Sequence, residues 1–169
     1  MPAADLTASP KPRLAWYHPA SLLATWFGSG LLPKAPGTWG SLAALPCAWV
    51  IALMGGPWLL FVASLAVFLL GLWASGPYAR SLGQDDPGSV VIDEVAGQWL
   101  ALLPVALQLE YYPLAFIAFR FFDIVKPWPV NWLDQRLKGA LGIMADDMMA
   151  GLYAAALTTA VGTVFGTLW

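Results

Sequence analysis

The sequence predicts an all-α protein: a polytopic membrane helical bundle of about five transmembrane helices with short interfacial helices beside them. Three observations predict it. Hydrophobic residues make up 59% of the 169-residue chain and charged residues 11%, against roughly 25% charged in an ordinary soluble domain. A soluble fold of this size could not hide so many apolar side chains, whereas a bilayer solvates them. No charged residue stands between Lys34 and Arg80, nor after Asp147. All eight basic residues fall toward one face of the layout below, the face that the positive-inside rule makes cytoplasmic. The length suits one domain, expected over 18–169 behind a polar tail at 1–17.

Taken in order, Met1 to Pro12 is polar, contains prolines and lacks an apolar core, so it does not read as a secretory signal peptide. His18 to Phe27 is a short apolar stretch expected to lie on the membrane or re-enter it, with the lone His18 in a structural role beside Pro19. The segment Gly28 to Thr38 is rich in glycine and proline and leads into a helix, where backbone amides can hold phosphate; a plain membrane-entry loop fits it equally well. The charge-free interval after Lys34 is too long for one span of about 20 residues. It divides into Thr38–Met54 and Pro57–Ser75 around a tight turn at Gly55-Gly56-Pro57. Cys47, the only cysteine, excludes an intramolecular disulfide and reads as a buried, inert thiol.

A third helix from Asp93 to Glu110 would be about 27 Å long at ~1.5 Å per residue, close to a ~30 Å hydrocarbon core. Glu110-Tyr111-Tyr112-Pro113 then forms an interfacial turn with its aromatics at headgroup depth. The return helix from Pro113 to Val125 carries Arg120 and Asp123 below the surface where it exits. Pro129 to Lys138 sets Val130, Leu133 and Leu137 on one face and Asn131, Asp134, Gln135 and Lys138 elsewhere, the pattern of an interfacial amphipathic helix. Met148 to Trp169 is the last span. This order puts the N-terminus inside and the C-terminus outside.

With so few charges, their positions carry information. Asp93 and Glu94 stand where the third helix begins, and Asp146 and Asp147 where the last begins. Arg120 and Asp123 share a helix face, with Lys126 a further step along. Acids at helix starts are favoured by the macrodipole, but that explains neither the doubled acids nor Asp123, placed at a C-terminal end. Intramembrane charges are expensive and mark functional sites by default. Carboxylates gathered this closely repel unless a cation sits between them, and hard oxygen donors without a cysteine or histidine cluster point to Mg²⁺ or Mn²⁺. Arg120, Lys126 and Lys34 are suited to clamping an anion. A net charge of −2 offers no nucleic-acid footprint.

Several phosphatase chemistries are excluded by absence. The chain has no Cys-x5-Arg loop, no second histidine, no Asp-x-Asp motif and no Walker A sequence. Metal-activated water with carboxylates as ligands and base is what remains.

Phe27-Gly28-Ser29-Gly30-Leu31 followed by Pro36-Gly37-Thr38-Trp39-Gly40-Ser41-Leu42 resembles the opening signature of the phosphatidylglycerophosphatase A family. Ile92-Asp93-Glu94-Val95, the run Phe119 to Pro129 and Gly142 to Asp147 resemble its later signatures in the same order. The likeness runs from about Trp26 to Tyr153, and Arg-x-x-Asp-x-x-Lys-Pro-Trp-Pro is its most specific part. A second glycine expected after Gly139 is replaced by Ala140. The resemblance implies a Mg²⁺-dependent lipid phosphatase of the bacterial inner membrane, its site on the cytoplasmic side, converting phosphatidylglycerophosphate to phosphatidylglycerol. It implies that Asp93, Glu94, Asp123, Asp146 and Asp147 bind metal or activate water. Arg120 and Lys126 would hold phosphate, with Lys34, Thr38 and Ser41 as weaker candidates. The rivals are a divalent-cation transporter, which would want its acids at the bilayer midplane, and a non-catalytic membrane scaffold, which has no need of the Arg120, Asp123, Lys126 array. A CDP-alcohol phosphotransferase would need a longer Asp-rich motif.

Overall fold

The computed structural model describes residues 13–165, so the expectations for Met1 to Pro12 and for the end of the last span lie outside the described residues. Among those described there is no strand. The helices are α1 (Pro19–Ala24), α2 (Pro36–Leu82), α3 (Ile92–Ala101), α4 (Tyr112–Val125), α5 (Val130–Arg136) and α6 (Gly139–Val164). Short 3₁₀ turns occupy Ser29–Leu31, Leu103–Val105 and Leu109–Tyr111.

Unbroken, α2 would extend for about 70 Å at ~1.5 Å per residue, more than twice the thickness of a hydrocarbon core. It folds back instead. Gly55 (φ −155°, ψ 20°) and Gly56 (φ 66°, ψ −165°) leave the helical region, the second in a conformation open to glycine. Pro57 then starts the second arm, at the position where its missing N–H costs nothing. Contacts with α3 give the arms their directions. In the first arm Gly40 rests on Val91, and the Ala44 carbonyl accepts from Trp99 Nε1 at 2.9 Å. In the second, Ser64 Oγ donates to the Ala96 carbonyl at 2.9 Å and Gly71 lies by Ile92. Rising numbers climb α3 in one arm and descend it in the other, so the arms are antiparallel. The hairpin expected at Gly55-Gly56-Pro57 is what the chain forms.

Nine of the ten residues of α3 are buried, which makes it the central post, with the α2 arms, α4 and α6 around it. It stops at Ala101 rather than running to Glu110. Pro104 has no N–H to give the Leu100 carbonyl and disfavours a helical Leu103; Val105 N–H bonds Leu102 instead, closing a 3₁₀ turn. The helix is therefore about 15 Å long, too short to span on its own.

α2 and α6 are the helices long and apolar enough to cross a membrane, with mean hydropathy of 2.2 and 1.3 in their most apolar windows. Only 33% of the α2 window is buried, and Val50, Leu53, Met54, Trp58, Leu65 and Leu69 point outward. Large exposed apolar patches mark membrane or protein contacts. Cys47 belongs to this surface: the thiol is exposed, not buried, because it lies on the outward side of the first arm. His18 does have a structural role, its Nδ1 capping α1 through the Ala20 N–H at 3.1 Å. α5 turns Val130, Leu133 and Leu137 inward and leaves Asn131, Asp134, Gln135 and Lys138 exposed, as its pattern requires.

α3 and α6 meet backbone to backbone. A Cβ on Gly97 would lie 2.5 Å from the Asp147 carbonyl oxygen, and one on Gly151 would lie 2.5 Å from the Gly97 carbonyl oxygen. Each glycine follows an aspartate, Asp93 or Asp147, by one helical turn, so this crossing sets how closely the two acids approach. Gly151→Val should cost roughly 1–3 kcal/mol through overpacking, read as a lowered thermal midpoint in detergent. Unchanged stability would show that the crossing tolerates separation.

Candidate functional site

Three helices deliver acids to one place. Asp93 and Glu94 come from the first turn of α3, and Asp147 from α6; one carboxylate oxygen of each lies within 4.8 Å of the others. Asp146 and Asp147 follow the first residue of α6, Gly139, by seven and eight positions. They are not at a helix start, and the macrodipole explanation does not apply to them. Asp123, near the end of α4, closes the group through Arg120. The Arg120 Nη1 stands 2.5 Å from Asp123 Oδ2 and 3.6 Å from Glu94 Oε1. Charge is balanced there, and Nη1 and Nε are buried without a hydrogen-bond partner.

Lys126 caps α4 with a left-handed backbone (φ 46°). Its Nζ reaches Asp134 Oδ1 and Asp146 Oδ2, each at 2.7 Å, tying α5 to α6. Burial would lower its basicity, but the hydrogen bonds and charges of Asp134 and Asp146 outweigh that and raise it above the ordinary lysine value. In the loop after α2, burial raises the Asp86 carboxyl, with Lys126 opposing and Asp134 adding to the rise.

These groups line a cavity of about 220 Å³. Asp93, Glu94, Asp123, Asp146, Asp147 and Lys126 all face it, but Arg120 does not: it stands behind, between Glu94 and Asp123. Lys34, Thr38 and Ser41 are also outside the lining. The Ser41 hydroxyl is buried and donates to Gly37 O at 2.8 Å. The glycine-rich loop bonds the amides of Gly28 to Leu32 to carbonyls of Thr25, Trp26, Gly28 and Ser29. What that region does bring to the site is Gly37, whose Cα lies against Glu94 Oε1 and Arg120 Nη1. Asp85, Asp86, Asp134 and Lys138 complete the charged lining. Sequence reasoning had passed over Asp85 and Asp86, although their adjacency in a loop was a signal.

The lining carries eight carboxylates against two lysines. Asp93 Oδ1, Glu94 Oε2, Asp146 Oδ1 and Asp147 Oδ2 are buried without a hydrogen-bond partner. Such a pocket would repel an anion, and orphaned oxygens of this kind are what a hard divalent cation satisfies. The donor set fits Mg²⁺.

The family model for phosphatidylglycerophosphatase A matches residues 22–162. The chain belongs to that family. Phosphatidylglycerophosphatase A of Escherichia coli K12 is 39% identical over 90% of this chain and 88% of its own length. The protein of that name from Haemophilus influenzae is 36% identical over 90% and 94%. A Bacteroides thetaiotaomicron protein, whose name provisionally assigns phosphatidylinositol-3-phosphatase activity, is 39% identical over 86% and 94%. No solved structure matches. The matched region contains every acid of the cavity.

Proposed function

We propose that this phosphatidylglycerophosphatase A family member is a Mg²⁺-dependent lipid phosphatase of the bacterial inner membrane, hydrolysing phosphatidylglycerophosphate to phosphatidylglycerol and phosphate on the cytoplasmic side. The observation that carries this reading is the set of buried, unpartnered carboxylate oxygens from α3 and α6 around one cavity. At about 220 Å³ the cavity is smaller than the roughly 300–1,000 Å³ of sites that enclose whole drug-sized ligands. It suits a phosphorylated headgroup whose acyl chains stay in the bilayer.

The chemistry follows from the residues. Asp93, Glu94 and Asp147 would hold Mg²⁺, which when bound supplies Lewis acidity and lowers the pKa of an attacking water. Asp123 and Asp146 stand beside that cluster, placed to accept a proton from water or to complete the ligand set. Lys126 offers a fixed positive charge at the cavity wall, and Arg120 holds Glu94 and Asp123 in register from behind. Phosphate release from phosphatidylglycerophosphate by the purified protein should require Mg²⁺ and cease in EDTA. Equal release in EDTA would remove the metal from the reaction. The name of the Bacteroides relative makes phosphatidylinositol 3-phosphate the informative second substrate in the same assay.

In the membrane, the two α2 arms, α3 with its 3₁₀ extension, α4 and α6 give five crossings. Lys34, Arg80, Lys126, Arg136 and Lys138 then sit in loops or helix ends on the acidic side. A reporter fused after Trp169 should be active only outside the cytoplasm; activity inside would overturn the layout.

A further inference from the structure

Between the first arm of α2 and α4 runs an apolar groove of about 520 Å³. We propose that it seats one acyl chain of the phospholipid substrate and so orients the headgroup at the acidic cavity. This rests on the lipid-phosphatase reading and adds the determinant of chain placement.

Groove and site share α4: Asp123 lines the acidic cavity, and Phe116, about two turns earlier on the same face, lines the groove. On α4, Phe116 lies one turn before Arg120, and Tyr112 and Pro113 lie one turn further, so a single face carries the guanidinium and then the groove wall. On α2, Leu45 follows Gly37 by two turns, and Leu42 and Trp49 flank it on the groove side. Gly37 and Arg120 touch at the charged end. At the far end the rings of Trp49 and Tyr112 meet edge to face, centroids 5.8 Å apart, and the Tyr112 hydroxyl is occupied by the Ala106 carbonyl at 3.0 Å. Eight residues of α4 separate Arg120 from Tyr112, about 12 Å along the axis. A lipid with its phosphate near the acids therefore has a wall for the upper part of one chain. The shallow hollow at Pro46, Cys47, Val50 and Ile51 lies on one arm alone and does not connect to the charged residues, so it carries no such argument.

Lipid tails are as apolar as leucine, so entering the groove from a bilayer yields little transfer free energy. Its contribution is orientation, and small misplacements of a reacting group cost roughly 10²-fold in rate.

The test uses phosphatidylglycerophosphate bearing a diazirine midway along one acyl chain, photolysed with the full-length protein in mixed micelles. Cross-links should concentrate on 42–49 and 112–116. Excess unlabelled phosphatidylglycerophosphate should compete better than phosphatidylglycerol, and Leu42→Trp should reduce labelling severalfold. In turnover, Leu42→Trp should lower kcat/KM for long-chain substrate by about 10-fold or more while sparing a dihexanoyl analogue; Phe116→Ala, which widens the groove, serves as a second variant. Labelling spread evenly over outward residues such as Leu53 and Leu152, or equal loss on both chain lengths in both variants, would overturn the groove assignment. Groove labelling without any phosphate release would instead defeat the phosphatase reading and leave the groove standing.

Discussion

Asp147→Asn is expected to abolish Mg²⁺-dependent phosphate release, by on the order of 10³-fold, the upper end of what one preorganised electrostatic contact contributes. The same change should raise the thermal midpoint of the metal-free protein. Both follow from one arrangement: Asp147 is 3% exposed, its Oδ2 has no hydrogen-bond partner, and it shares a space of 4.8 Å with Asp93 and Glu94. Without a cation the three carboxylates repel one another in a poorly screened interior, and asparagine removes one of the charges at nearly constant shape. With Mg²⁺ present the order reverses. A cation bound at 100 times its Kd stabilises the unaltered protein by about 2.7 kcal/mol, and the variant loses most of that shift. Thermal scans with and without Mg²⁺ separate the outcomes. A variant that is less stable without metal and still stabilised by Mg²⁺ would make Asp147 a packing residue.

How much of this was legible beforehand depended on which physical signal each residue gave. The α2 hairpin was legible because Gly55-Gly56-Pro57 combines a positive-φ position with a residue suited to starting a helix. The convergence of α3, α4 and α6 was legible because charges are scarce and intramembrane charges need partners. The length of α3 was misread because Pro104 was weighed less than the apolar run around it. The place of Asp146 and Asp147 within their helix was not legible, because the charge-free run begins only at Met148 whereas α6 starts nine residues earlier at Gly139. Asp134 gave only an amphipathic pattern, and its bond to Lys126 depends on how α5 folds back toward α6. Gly97 and Gly151 look like ordinary glycines in apolar helices. Only the crossing shows that a side chain at either would push Asp93 and Asp147 apart. The family resemblance puts Ser41 among the weaker phosphate candidates; inside its helix the hydroxyl is satisfied by the carbonyl four residues back.

Arg120 is where shape and charge can be told apart. Its guanidinium lies behind the cavity and reaches Asp123 on its own helix and Glu94 on α3 from one nitrogen, while Nε remains buried and unpartnered. Arg120→Lys keeps the charge and loses the planar fork. The shorter lysine side chain does not carry its ammonium to the point between Asp123 and Glu94 that Nη1 occupies, so it cannot hold both carboxylates in register. Turnover should therefore fall by roughly 10²-fold, the scale of a small misplacement of the reacting groups, with substrate affinity changing less. Asp123→Asn should lower turnover as well, by removing an anion that Arg120 holds at the cavity wall. A purely structural ion pair forecasts otherwise: lower yield and thermal stability, but normal turnover per folded molecule in both variants. Measuring kcat on the folded fraction alongside the thermal midpoint decides between them. Normal kcat with a lowered midpoint would confine Arg120 to holding α3 against α4.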